Sequence, residues 1–91
     1  MPDKIAVAKN HLAISIDKMP EAVLLPGDPK RVDEIASFWD SSEVVGDNRE
    51  FRTLVGTYKG LPIAACSTGI GGPSTEIAVI ELYQLGARSL V

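Results

Sequence analysis

The chain has 91 residues, with 9 Lys plus Arg against 12 Asp plus Glu for a net charge of -3, and 45% of its residues are hydrophobic and 23% charged. This is the composition of one short globular domain, which excludes a disordered tail or a collagen-like chain; at this length only roughly 60–65% of the unfolded surface is buried, too little for a large enclosed active site. Scattered rather than clustered basic residues exclude a nucleic-acid module, and apolar runs of only a few positions fall far short of the roughly 20 that span a bilayer.

Residues 1 to 20 mix charges with Met and Pro and read as a leading arm with a short apolar piece at Ala13 to Ile16. The start has acidic Asp3 and no apolar h-region, so it does not read as a signal peptide. A soluble cytoplasmic protein is expected, and the single cysteine, Cys66, fits a reducing compartment because it permits no internal disulfide. His11 is the only histidine, which leaves a structural zinc site and a Cys-His catalytic pair without partners.

The run Ala22-Val23-Leu24-Leu25 suits a strand buried on both faces. Gly27-Asp28-Pro29 ends it. Asp28 is placed to cap a helix and Pro29 suits the first turn, after which Val32, Ile35, Ala36 and Trp39 recur at helical spacing. Shorter strand-like pieces follow at Glu43 to Gly46, Phe51 to Tyr58 and Leu61 to Ser67, the last two joined by a Lys59-Gly60 hairpin turn. A glycine-rich loop, Thr68 to Pro73, then leads into a helix from about Pro73 to Leu85 that Gly86 stops. Its apolar residues run most of the way round, with Glu76, Glu81 and Gln84 as polar exceptions, so it needs cover on more than one side. Ser89-Leu90-Val91 looks like the opening of another buried strand. The order predicts an α/β layer with helices packed on a mixed sheet.

Three segments carry candidate chemistry. At Gly27-Asp28-Pro29-Lys30-Arg31, a glycine at a strand's carboxyl end lets backbone approach a ligand, and the helix N-terminus offers unpaired N–H groups to an anion. Arg31 opposes the helix macrodipole by roughly 0.3–1 kcal/mol, a cost relieved if both face one anion. The alternative is an ordinary turn, with Lys30 and Arg31 pairing Asp33 or Glu34 in solvent. In Asn48-Arg49-Glu50-Phe51-Arg52, Arg49 offers a planar fork to phosphate or carboxylate; strand alternation puts Arg49 and Phe51 on one face, Glu50 and Arg52 on the other, and a solvated edge strand is the plainer reading. Ser67 to Ser74 fails the dinucleotide fingerprint because Ser74 replaces the third glycine, and it lacks a P-loop lysine. Its Thr68, Ser74 and Thr75 hydroxyls either touch a polar ligand or, for Ser74 and Thr75, cap the helix. Cys66 reads as a buried structural thiol, Trp39 as a residue closing the core, and no acid/base pair stands out.

Together, Leu25 to Val32, Asn48 to Phe51 and Cys66 to Thr75 resemble the amino-terminal part of the nucleoside phosphorylases of the uridine phosphorylase and hexameric purine nucleoside phosphorylase type, in the family's order. The resemblance implies a three-layer fold with a mixed central sheet, of which residues 1–91 form the amino-terminal segment of a single domain. It implies reversible phosphorolysis, in which inorganic phosphate attacks C1′ of a nucleoside to give ribose 1-phosphate and free base, with no catalytic side chain and no cofactor from this segment. By that likeness Gly27 and Arg31 contact phosphate in their own subunit, and Arg49 reaches the phosphate of a neighbour in a homo-oligomer, a hexamer built as a trimer of dimers. The Ser-Thr-Gly-Ile-Gly-Gly-Pro-Ser string looks most like the uridine branch, where purine-directed branches often carry a histidine. In the uridine branch Glu50, Ile70 and Ser74 resemble the positions that hold a monovalent cation such as potassium, Ile70 through its carbonyl.

Two departures accompany the likeness. The family's arm histidine falls near Lys4, with His11 several residues later, and family chains continue into a further arginine and threonine and into base- and ribose-recognising residues. Little or no turnover is expected of these 91 residues alone. The alternatives are a purine nucleoside phosphorylase and a non-catalytic assembly or anion-binding fragment.

Overall fold

The structure is a computed structural model that describes residues 12–16, 18–69 and 71–91. In chain order it contains β1 (Ala22–Leu24), α1 (Pro29–Ala36), β2 (Ser41–Asn48), β3 (Phe51–Tyr58), β4 (Leu61–Cys66), α2 (Gly72–Gln84) and β5 (Ser89–Leu90). The strands form one mixed sheet in the order β2-β3-β4-β1-β5. β2, β3 and β4 make an antiparallel meander, while β1 is parallel to both neighbours, with Val23 opposite Ala64 and Leu90.

The two helices cover opposite faces. Alternation along β4 sends Ala64 and Cys66 into a core with Val23, Ala78, Leu82 and Leu85, under α2. Ala65 faces the other way, against Leu54, Val32 and Ala36, under α1. The expected three layers are therefore present, and Trp39 packs on the edge of the α1 core, just beyond the helix end. Among the described residues no helix is long and apolar enough to cross a membrane.

The strand, turn and helix at Ala22 to Ala36 form as the sequence predicts. The Asp28 carboxylate accepts the Lys30 N–H at 2.9 Å and Pro29 occupies the first turn. Lys59 and Gly60, both with positive φ (53° and 82°), close the β3–β4 hairpin between Tyr58 and Leu61, the backbone of a two-residue primed turn. Gly86, at φ 119°, ends α2.

Three expectations need correction. The segment before β1 is not a mere arm: Leu12 and Ile14 are fully buried in the larger core, worth about 1.5–3 kcal/mol each. β2 runs past Glu43–Gly46 at both ends: Ser41 and Ser42 already pair with Thr57 and Gly56, and beyond a register shift between Val44 and Gly46 the pairing continues to Asn48 opposite Phe51. Glu81 is buried, accepting the Leu12 N–H at 3.3 Å, rather than joining Glu76 and Gln84 on the outside of α2. On the outer side of α2, Ile80 and Tyr83 lie about half exposed, with the Arg88 guanidinium over the Tyr83 ring.

Candidate phosphate site

The loops that follow β1 and β4 leave adjacent parallel strands and turn to opposite faces of the sheet, one into α1 and the other into α2. The region outside the carboxyl ends of strands whose connections diverge in this way is the usual place for a ligand in an α/β sheet. Backbone pairing carries the two strands beyond their regular ends: Thr68 N–H donates to the Pro26 carbonyl and Gly69 N–H to that of Gly27, both at 3.0 Å. The predicted Gly27 turn and the glycine-rich loop therefore lie side by side.

The third segment arrives from the β2–β3 hairpin. Asn48 pairs with Phe51, so Arg49 and Glu50 form the turn itself, with Arg49 in the left-handed region at φ 57°. This corrects the strand alternation expected for Arg49, Glu50 and Phe51. A non-glycine residue in this conformation is uncommon and needs support from its surroundings. Ser67, fully buried, supplies it: its hydroxyl donates to the Glu50 carbonyl at 2.6 Å and accepts the Arg52 N–H at 2.8 Å, while the Ser67 N–H donates to the Arg52 carbonyl at 3.0 Å. Gly69 passes so close that a Cβ there would lie 3.0 Å from Glu50 Cγ, and its φ of 75° also calls for glycine.

Ser74 and Thr75 do not cap α2. The cap position is Gly71, without a side-chain bond. The Ser74 hydroxyl instead donates to Glu50 Oε2 at 2.8 Å, and Thr75 donates to the Gly71 carbonyl at 3.2 Å. Thr68, nearly buried, donates to the Gly69 carbonyl at 3.0 Å. The Ser74 hydrogen bond, with help from Glu50's own backbone N–H and the Arg49 charge, holds the Glu50 carboxyl below the usual carboxylate range. Ile70 lies outside the described residues, as do Lys4 and His11.

Arg31 stands in the first turn of α1, its N–H on the Asp28 carbonyl at 3.0 Å, and its exposed guanidinium pairs with Glu34 at 3.7 Å, one of the two solvent partners the sequence offers it. The other, Asp33, is taken by Arg52, whose guanidinium also reaches Asp47. Arg52 is the residue that sequence pattern alone does not single out. Cys66 is inert: burial pushes its thiol up to about 11. Arg31 and Arg49 are thus exposed cations on two of the three converging segments, with no activated nucleophile among these residues, which suits binding an anion. The amides expected at the start of α1 are already taken, since Pro29 has none and Asp28 accepts those of Lys30 and Arg31.

Comparison with known proteins bears on the family and the fold. A uridine phosphorylase from Thermococcus kodakarensis is 49% identical over 81 residues, covering 89% of this chain and 29% of the relative. A guanosine phosphorylase from Halorubrum lacusprofundi is 43% identical over 81 residues, covering 89% and 34%. A crystal structure of uridine phosphorylase from Vibrio fischeri superposes with a TM-score of 0.85 at 40% identity over 90% of this chain and 34% of that one. A purine nucleoside phosphorylase from Toxoplasma gondii in complex with immucillin-H gives 0.76 at 39% identity, over 81% and 29%. The chain spans about a third of the length of the curated relatives it matches. The model of the Phosphorylase superfamily matches residues 21–91, from the residue before β1 through β5 and including the Gly27, Arg49–Glu50 and Ser67–Ser74 segments, and the chain belongs to that family.

Proposed function

We propose that the intact protein is a nucleoside phosphorylase that cleaves uridine reversibly with inorganic phosphate, and that this chain is the amino-terminal segment of its single domain. The observation that carries the reading is the convergence of the Gly27 turn, the Arg49–Glu50 turn and the Ser67–Ser74 loop at the carboxyl ends of β1 and β4. In it, Gly27 lets phosphate approach the backbone, Arg31 swings from Glu34 to the phosphate, and Arg49 reaches a phosphate held by a neighbouring subunit of a cytoplasmic homo-oligomer. Such a reaction passes through an oxocarbenium-like transition state, for which positioned cations and a shaped pocket suffice.

Glu50 and Ser74 would hold a monovalent cation. Their oxygens already meet within one hydrogen bond, and the carboxyl is kept ionised, so the donor set fits a hard cation that takes oxygen ligands. When bound, the ion would neutralise Glu50 and brace the Arg49 turn.

The test is phosphorolysis by the intact protein with uridine and with inosine, together with Arg31→Gln and Arg49→Gln. Each arginine contact to phosphate is worth about 1.5–3 kcal/mol, so each variant raises the phosphate KM by roughly tenfold to a hundredfold. Mixed oligomers of the two variants distinguish sharing between subunits: a mixed pair regains one intact site only if Arg49 serves its partner. Preference for inosine would favour the purine reading, to which the guanosine phosphorylase and purine nucleoside phosphorylase relatives point. An unchanged phosphate KM in both variants would overturn the site.

A further inference from the structure

We propose that Arg52 is a positioning residue for the phosphate site, clamping the middle of α1 to the end of the β2–β3 hairpin so that Arg31 and Arg49 are held in register. The inference rests on the phosphate reading and deepens it.

Arg52 Nε and Nη2 both reach Asp33 Oδ1, at 3.1 and 3.0 Å, and Nη1 reaches Asp47 Oδ2 at 2.9 Å. Asp33 lies two residues after Arg31 on α1, and Asp47 lies two residues before Arg49 on β2. One guanidinium therefore joins the two backbones that carry the site's cations. Its own backbone is fixed as well, since both the N–H and the carbonyl of Arg52 bond Ser67. The clamp thus ends on α1, β2, β3 and the strand end of β4.

Arg52 is a poor phosphate ligand as it stands. Two carboxylates against one guanidinium leave the cluster negative, which repels an anion, and the Asp33 carboxylate keeps the guanidinium charged. Stability is not its main product either: the guanidinium is 24% exposed while Asp33 and Asp47 are 53% and 59% exposed, and ion pairs this open contribute little to folding. What the geometry supplies is direction. Separate nitrogens of a planar fork address carboxylates from two different elements, which a lysine's single ammonium on a flexible stem cannot reproduce.

The experiment uses the intact protein with Arg52→Lys, Asp33→Asn and Asp47→Asn, measuring the KM for phosphate, the KM for nucleoside and the melting temperature. The expected result is a rise of about fivefold or more in the phosphate KM for each variant, with the nucleoside KM within about twofold and melting little changed. Combining Arg52→Lys with Asp33→Asn adds less than the two separate effects, because both remove the same link. An unchanged phosphate KM, or a parallel fall in melting temperature and in affinity for both substrates, overturns the inference. If Arg52→Lys fails to fold, the two exposed aspartate variants carry the same test. Arg31→Gln and Arg49→Gln separate the levels: if they raise the phosphate KM and the clamp variants do not, only the clamp is refuted; if they have no effect, the phosphate reading falls and takes the clamp with it.

Discussion

Ser67→Ala tests whether the Arg49–Glu50 turn is held from the end of β4. The serine hydroxyl sits at 0% residue exposure, donates to the Glu50 carbonyl at 2.6 Å and accepts the Arg52 N–H at 2.8 Å. Alanine removes both bonds while leaving the Ser67 N–H on the Arg52 carbonyl in place. A buried polar group stripped of its partner costs roughly 1–3 kcal/mol; in this case two are stripped, but the turn is only part-buried and water recovers some of the loss, so about 2 kcal/mol is expected. In a urea titration of the intact protein the midpoint falls by that loss divided by the measured slope. Trp39, the one tryptophan in these 91 residues, packs on the α1 core, so its fluorescence reports the loss of that core. Ser42→Ala, on the exposed part of β2, gives the baseline. A shift no larger than this baseline would mean that the left-handed Arg49 conformation is stabilised elsewhere and that Ser67 is not what holds the turn.

Gly56→Ala should be among the most damaging single changes in the sheet, because a Cβ there would collide with the Ser41 carbonyl oxygen. Overpacking against backbone costs about 1–3 kcal/mol, occasionally more, so the urea midpoint should fall, and an unchanged midpoint would contradict it. Cys66 should resist a thiol reagent: with its thiol pushed up to about 11 by burial, roughly 0.1% is ionised at pH 8, so native protein reacts at least about a hundredfold more slowly than urea-unfolded protein. The same shift fixes the sign of an alkaline effect. The folded state disfavours the thiolate, so its contribution is intact below the ordinary value of 9.0 and is lost between there and about 11, at roughly 1.4 kcal/mol per pH unit. A urea midpoint that stays level across that range would contradict it.

The parts that sequence makes legible are those built from neighbours. Asp28 caps α1 two residues later, Pro29 fits its first turn, Lys59-Gly60 closes a hairpin between its own flanks, and Gly86 ends the helix it follows. The Gly27 turn, Arg31, Arg49, Glu50 and Ser74 stand out because glycine, arginine and hydroxyl residues have narrow chemical reasons for being where they are. What is not legible depends on partners far along the chain. Nothing local marks Arg49–Glu50 as a turn, since it lacks glycine; the conformation is imposed by Ser67, 17 residues after Glu50. Ser74 looks like a cap until the Glu50 carboxylate, 24 residues back, competes for its hydroxyl. Glu81 reads as a surface residue until the Leu12 N–H, 69 residues away, draws it inward. Arg52 carries no local signal because its role lies in joining two aspartates that only folding brings together.

The place of β1 in the sheet bears on how the chain is assembled during translation. β1 leaves the ribosome early, yet one of its edges waits for β4 and the other for Ser89–Leu90, so that Val23 meets Leu90 only after 67 further residues. At roughly 5–20 residues per second that delay is about 3–13 seconds, ample for the β2–β3–β4 meander to close on itself through adjacent hairpins. Of these five strands β1 is then the last to gain both of its neighbours, whereas the Gly27 turn can meet the loop of Gly69 as soon as β4 pairs with it.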